Sequence, residues 1–144
     1  MLRPIFAAVA AALLFAGCAV KSETAPGAQP SEPAITGITW KLTGFGNHSM
    51  KVPQKAWMRL EKGRYEGFAG CNGLSGTYTV KGDSIRFTMD PSTMLACPDM
   101  RGETEFRKRL LAVESYKREN GMLELLKEGK KLLVFLPENG SEEK

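Results

Sequence analysis

Three cysteines, a single histidine and a few small polar residues are the side chains of this sequence that could do chemistry. Cys71 and Cys97 come first. A cysteine nucleophile needs a general base within reach. The one histidine, His48, sits in a Gly-Asn-His-Ser loop with no triad-like context. A structural zinc needs four ligands at recognisable spacing, and two separated cysteines with one histidine do not supply them. Asp90 stands beside Pro91 and Asp99 precedes an apolar-periodic segment, so both read as structural residues rather than ligands. No nucleophile–base pair or carboxylate constellation emerges. The expectation is no enzyme, no metal and no cofactor.

The chemistry left to Cys71 and Cys97 is with each other. An even pair in an oxidising compartment persists as a disulfide. Closing a loop of this size stabilises by about 3.5 kcal/mol in the chain-entropy model. The alternative is two buried, reduced thiols that pack as small hydrophobes. Asn72, Ser75, Thr93 and Asp99 surround the pair in sequence. Near a glycine-rich bend, such side chains hydrogen-bond local backbone and fix the bend. The functional reading makes them a recognition surface at one end of the fold. Both readings stand at this level.

The elements that must position these residues are mostly strands. Trp40 and Leu42 point one way and Lys41 and Thr43 the other, the period of a half-buried strand. Trp57–Glu61, Arg64–Ala69, Thr77–Val80 and Ser84–Met89 follow, the last with Ile85, Phe87 and Met89 inward. Asn120-Gly121 is the strongest hairpin signal and joins Ser115–Glu119 to Met122–Leu126. Glu128-Gly129 then turns into Lys131–Leu136. Gly67, Gly70, Gly73 and Gly76 mark bends or close backbone approaches around Cys71. Residues 99–113 break the pattern. Phe106, Leu110 and Val113 share one face of a helix, Asp99 can cap its start, and Arg107, Lys108 and Arg109 are expected to face solvent. The fold predicted is an antiparallel β-barrel or strongly curved roll with one helix. Trp40, Trp57, Phe68, Tyr78, Phe87, Phe106 and Phe135 are its expected core, filling the interior rather than lining a ligand cavity.

Gly67-Phe-Ala-Gly-Cys-Asn72, Gly76-Thr-Tyr78 and Thr93-Met-Leu-Ala-Cys-Pro-Asp99 together resemble the signature of the META domain, found in the HslJ-like heat-shock lipoproteins. The resemblance runs from about Ile38 to Leu136 and includes Trp40-Lys-Leu42. It implies the same barrel. It also implies an association with heat or envelope stress, antibiotic tolerance and, in some members, secretion or motility.

The flanks carry an address. Arg3 and the apolar run Ile5–Phe15 form a signal sequence too short to span a bilayer. It ends Leu14-Phe-Ala-Gly-Cys18, similar to a bacterial lipobox with Phe15 where leucine is usual. On this reading residues 1–17 are removed and Cys18 is acylated. Several acyl chains anchor stably, because each buried CH₂ contributes ~0.8 kcal/mol. Plain secretion is the alternative. Ala19, rather than Asp, favours the outer membrane with the domain in the periplasm. Residues 18–35 are read as a Pro- and Ser-rich tether, 36–137 as the domain, and 138–144 as a polar tail. The charge is +4, with bases and acids interspersed. That is a solvated surface, and no nucleic-acid partner is expected. The expected protein is a monomeric, non-catalytic envelope lipoprotein with an unidentified envelope partner. Two alternatives are a small-ligand carrier barrel and a binding or inhibitor module using loops 46–55 and 90–98.

Overall fold

The computed structural model describes residues 34–138. The signal sequence, Cys18, most of the tether and the end of the polar tail lie outside them. Eight strands follow one another in chain order: β1 Thr39–Gly44, β2 Trp57–Glu61, β3 Arg64–Phe68, β4 Gly73–Lys81, β5 Ser84–Phe87, β6 Ser115–Glu119, β7 Met122–Lys127 and β8 Lys130–Pro137. Each pairs antiparallel with the next, and β1 pairs with β8 to close a barrel. One helix, α1, spans Arg101–Ala112 between β5 and β6. The seam it interrupts is narrow. Ser84 pairs with Ser115, flanked by Ile85 N–H to Glu114 O at 3.1 Å and Tyr116 N–H to Asp83 O at 2.9 Å.

Local chemistry explains the meander. Asn120 and Gly121 adopt φ of 52° and 77°, the left-handed pair whose twist matches the strands they join. Lys62-Gly63 and Glu128-Gly129 make the same turn shape. Gly67 and Gly76 serve close approach instead. A Cβ on Gly67 would lie 2.2 Å from Trp57 O, and one on Gly76 would lie 2.0 Å from Thr88 O. The Gly76 gap lets the Tyr65 hydroxyl donate to Thr88 O at 2.8 Å. Burial and Asp90 push that phenol up to about 12, against the pull of Arg107.

Trp40, Met58, Leu60, Leu123, Leu125, Leu133 and Phe135 fill the barrel interior with no exposure. Phe106 and Leu110 of the helix face, with Val113 just past its end, join that core, as the spacing predicts. The alternation is cleanest where one face is wet, as in β4 and β5.

Five details differ from the sequence-based expectation. Ile35, assigned to the tether, is fully buried because its carbonyl accepts from Trp40 Nε1 at 2.8 Å. The glycine-rich segment straightens after Cys71 and continues as β4. β5 ends at Phe87, since the Thr88 carbonyl is taken by Tyr65, and Met89 is half-buried. Trp57 and Phe68 are half-buried register partners rather than core. Arg107 and Arg109 are buried, not solvent-facing, because each finds a carboxylate one turn earlier and backbone carbonyls beyond it. Lys108, between them, is exposed.

Candidate functional site

The residues singled out around the glycine bend converge on the start of α1. Cys71 and Cys97 are bonded, with Cα atoms 6.3 Å apart, inside the range a disulfide requires. Beside the bond lies Glu103, 2 % exposed. Its Oε2 accepts from the backbone N–H of Cys71 at 2.9 Å and of Asn72 at 2.8 Å. Its Oε1 accepts from Asn72 Nδ2 at 2.9 Å and from Arg107 Nε at 3.1 Å. Asn72 turns its other side outward: Leu95 N–H donates to Oδ1 at 2.7 Å, and Nδ2 also donates to Leu95 O at 3.1 Å. Arg107 Nη2 reaches Gly73 O at 2.5 Å. Glu103 thus ties the bend to the helix, and Asn72 carries the link on to the 90–98 loop.

The electrostatics follow from that geometry. Burial by itself would raise the Glu103 carboxyl. The hydrogen bonds from Asn72 and Cys71, with Arg107, outweigh it and hold the group below its ordinary value. A buried charge is tolerated where its lone pairs are all met. Among the described residues no fully buried side-chain nitrogen or oxygen lacks a partner.

The other singled-out residues separate. Ser75 Oγ donates to Asp90 Oδ2 at 3.3 Å, an oxygen that Arg64 Nη2 also holds at 2.6 Å. Asp99 sits at the helix entrance, one residue outside the N-cap Met100. Its Oδ1 accepts from Arg101 N–H at 3.2 Å, and the Arg101 side chain holds it below the usual carboxylate range. Thr93 is exposed on the loop. Cys18 lies outside the described residues. The Asn72 side chain bonds Leu95 and Glu103, distant in sequence, rather than the local backbone of the bend, and the four do not form one surface.

Glu103 and Arg107 were not singled out by sequence reasoning. Their signal was present as an i,i+4 acid–base pair on a helix, repeated at Glu105 and Arg109. Nothing in the spacing tells a buried pair from a solvated one.

A shallow cleft of about 290 Å³ opens next to the disulfide, between Pro53 and the helix start. Pro53 packs so closely on Gly70 and Gly102 that a Cβ on either would come within 2.7 Å of its ring. Around this end Met50, Met94 and Leu95 are 43 %, 51 % and 72 % exposed. They belong to the two loops that the sequence marked as binding segments.

The META domain model matches residues 33–140. The chain belongs to the META domain family. The META match takes in the whole barrel, the disulfide and the Glu103 cluster. No curated protein matches the chain. Two solved structures share the fold of this META domain. One is a crystal structure of a DUF4847 family protein from Bacteroides vulgatus, 15 % identical, with a TM-score of 0.57, covering 72 % of this chain and 94 % of that one. The other is an NMR structure of a protein from Burkholderia xenovorans, 18 % identical, with a TM-score of 0.59, covering 80 % and 97 %. At these identities the likeness is one of fold.

Proposed function

We propose that this chain is a lipid-anchored envelope protein whose META domain is a rigid, non-catalytic platform for another envelope protein. One observation carries the reading: the polar groups of the candidate site bond one another and the backbone, while Met50, Met94 and Leu95 beside them stand exposed. A carboxylate with four donors on it has no lone pair to spare for proton transfer. Exposed apolar side chains clustered on loops are a feature of partner surfaces. The filled interior speaks against the carrier reading, which needs a cavity.

The anchor rests on Leu14-Phe-Ala-Gly-Cys18, and Ala19 favours the outer membrane with the domain in the periplasm. The link to heat or envelope stress and to antibiotic tolerance rests on the family. The test is metabolic labelling with palmitate. The wild-type chain incorporates label and Cys18→Ser does not. A Cys18→Ser chain that still labels sinks the anchor. In a strain lacking the protein, wild type restores survival of heat or antibiotic challenge and Cys18→Ser does not. Equal rescue by both removes the requirement for tethering.

A further inference from the structure

The second i,i+4 pair of α1 stands in very different surroundings. A cleft of about 310 Å³ lies between the last turns of the helix, the 45–48 turn and the start of β8. Four cationic side chains line it, Lys108, Arg109, Lys130 and Lys131, with Glu105 as the one carboxylate and His48 beside them. Arg109 gives Nε to Glu105 at 2.6 Å, and Lys131 reaches Glu124 at 2.6 Å. Lys108 and Lys130 have no carboxylate within ion-pair distance among the described residues. Lys108 and His48 both help hold Glu105 below its usual range, after its bond to Arg109 and against its burial. The cleft therefore keeps an excess of positive charge.

The walls are rigid. Arg109 Nη1 donates to Phe45 O at 3.1 Å and Leu132 O at 3.2 Å, and its guanidinium lies 5.5 Å from the centre of the Phe45 ring. Phe45 O also accepts from His48 N–H at 3.0 Å, which closes the turn. Gly46 presses on β8 so tightly that a Cβ there would lie 2.0 Å from Lys131 O. Helix, turn and hairpin are thus pinned to one another by backbone contacts. Lys131 pairs with the buried Glu124, while Lys108 and Lys130 are spared structural duty. Ala112 and Leu132 supply an apolar wall under the cationic rim.

We propose that this cleft is a binding site for a phosphate group carried on a small organic body, such as a glycerophosphate headgroup. Compact ammonium groups suit a phosphate as point charges, and Arg109 adds a planar donor held in place. The apolar wall favours an organic phosphate over the bare ion. The chain enters the barrel at the opposite end, where Gly37 N–H bonds Leu60 O at 2.9 Å. The proposal rests on the described residues alone and does not depend on the lipid anchor.

The test uses the full chain, isotope-labelled, in a neutral detergent. Glycerol 3-phosphate, inorganic phosphate and chloride at matched ionic strength are titrated while the backbone amides of 45–48, 105–112 and 130–132 are followed by NMR. A parallel arm compares phosphatidylglycerol with phosphatidylcholine nanodiscs. Saturable shifts confined to these amides with glycerol 3-phosphate are expected, and weaker ones with inorganic phosphate. Shifts with phosphatidylglycerol as well name a lipid source, and shifts with the soluble compound alone name a free one. The double variant Lys108→Gln/Lys130→Gln, at exposed positions, should lose affinity roughly tenfold with an unchanged fold. No saturation by about 10 mM, roughly tenfold above a millimolar Kd, would overturn the proposal. So would an equal response to chloride, or full affinity in the double variant.

Discussion

The two flanks of α1 carry the same motif to opposite ends. Glu103–Arg107 and Glu105–Arg109 are both i,i+4 acid–base pairs at about 3 Å. At about 100° per residue they fall on either side of the Phe106–Leu110–Val113 stripe. On one flank the carboxylate is taken up by a glycine bend, an asparagine and a disulfide, and every polar atom is consumed. On the other the arginine is consumed by backbone carbonyls, while lysines from the helix and β8 remain without carboxylates. A satisfied cluster is architecture, because its groups have no capacity left for a ligand. Charges left over beside rigid walls are the ones available to bind.

The largest way to break this comparison is Glu103→Ala. It leaves Arg107 buried without its anion and the N–H groups of Cys71 and Asn72 unmet, so stability should fall by about 3–5 kcal/mol in denaturant unfolding. A loss no larger than that of Glu105→Ala would erase the distinction between the flanks. Leu110→Ala, on the apolar stripe between them, should cost about 2–5 kcal/mol. Reduction of Cys71–Cys97 should cost about 2–4 kcal/mol in the chain-entropy view. The fold should survive it, since Asn72 still holds Leu95 and the barrel core is untouched. Thiol labelling of the denatured, unreduced protein should find no reactive Cys71 or Cys97. Two labelled thiols there would disprove the bond.

Acid sharpens the same contrast. The Glu103 carboxyl is held below its ordinary 4.5 in the folded chain. A group depressed on folding contributes stability above its unfolded pKa and loses it as pH falls through the folded one. Melting temperature should therefore be steady down to about pH 5 and fall below it. Glu103→Gln should flatten that fall, and Glu105→Gln should flatten it less. An unaltered acid limb in Glu103→Gln would show that Glu103 is not the group responsible. The smallest expected change is Lys108→Ala, below about 0.5 kcal/mol, as befits an exposed residue without an ion pair. A cost matching Leu110→Ala would mean that the helix is turned the other way.

Much of this molecule was legible in one dimension. Period-two alternation placed the strands, Asn120-Gly121 and its fellows placed the turns, and Phe106, Leu110 and Val113 set the buried face of the helix. These are local rules, in which each residue's role follows from its near neighbours. The paired Gly-Cys-Asn and Met-x-x-Cys-Pro-Asp segments marked the family and the two cysteines that meet. Spacing could not say that Glu103 is buried while Lys108 is not, or that Ile35 belongs to the core. Nor could it say that Lys108 and Lys130 share a cleft with His48. Those outcomes depend on which distant backbone groups the barrel closure brings within about 3 Å of a side chain. A buried charge is decided by partners far away in sequence, as Cys71 and Asn72 are from Glu103. Only the closed barrel, with α1 packed against β8 and β5, supplies them.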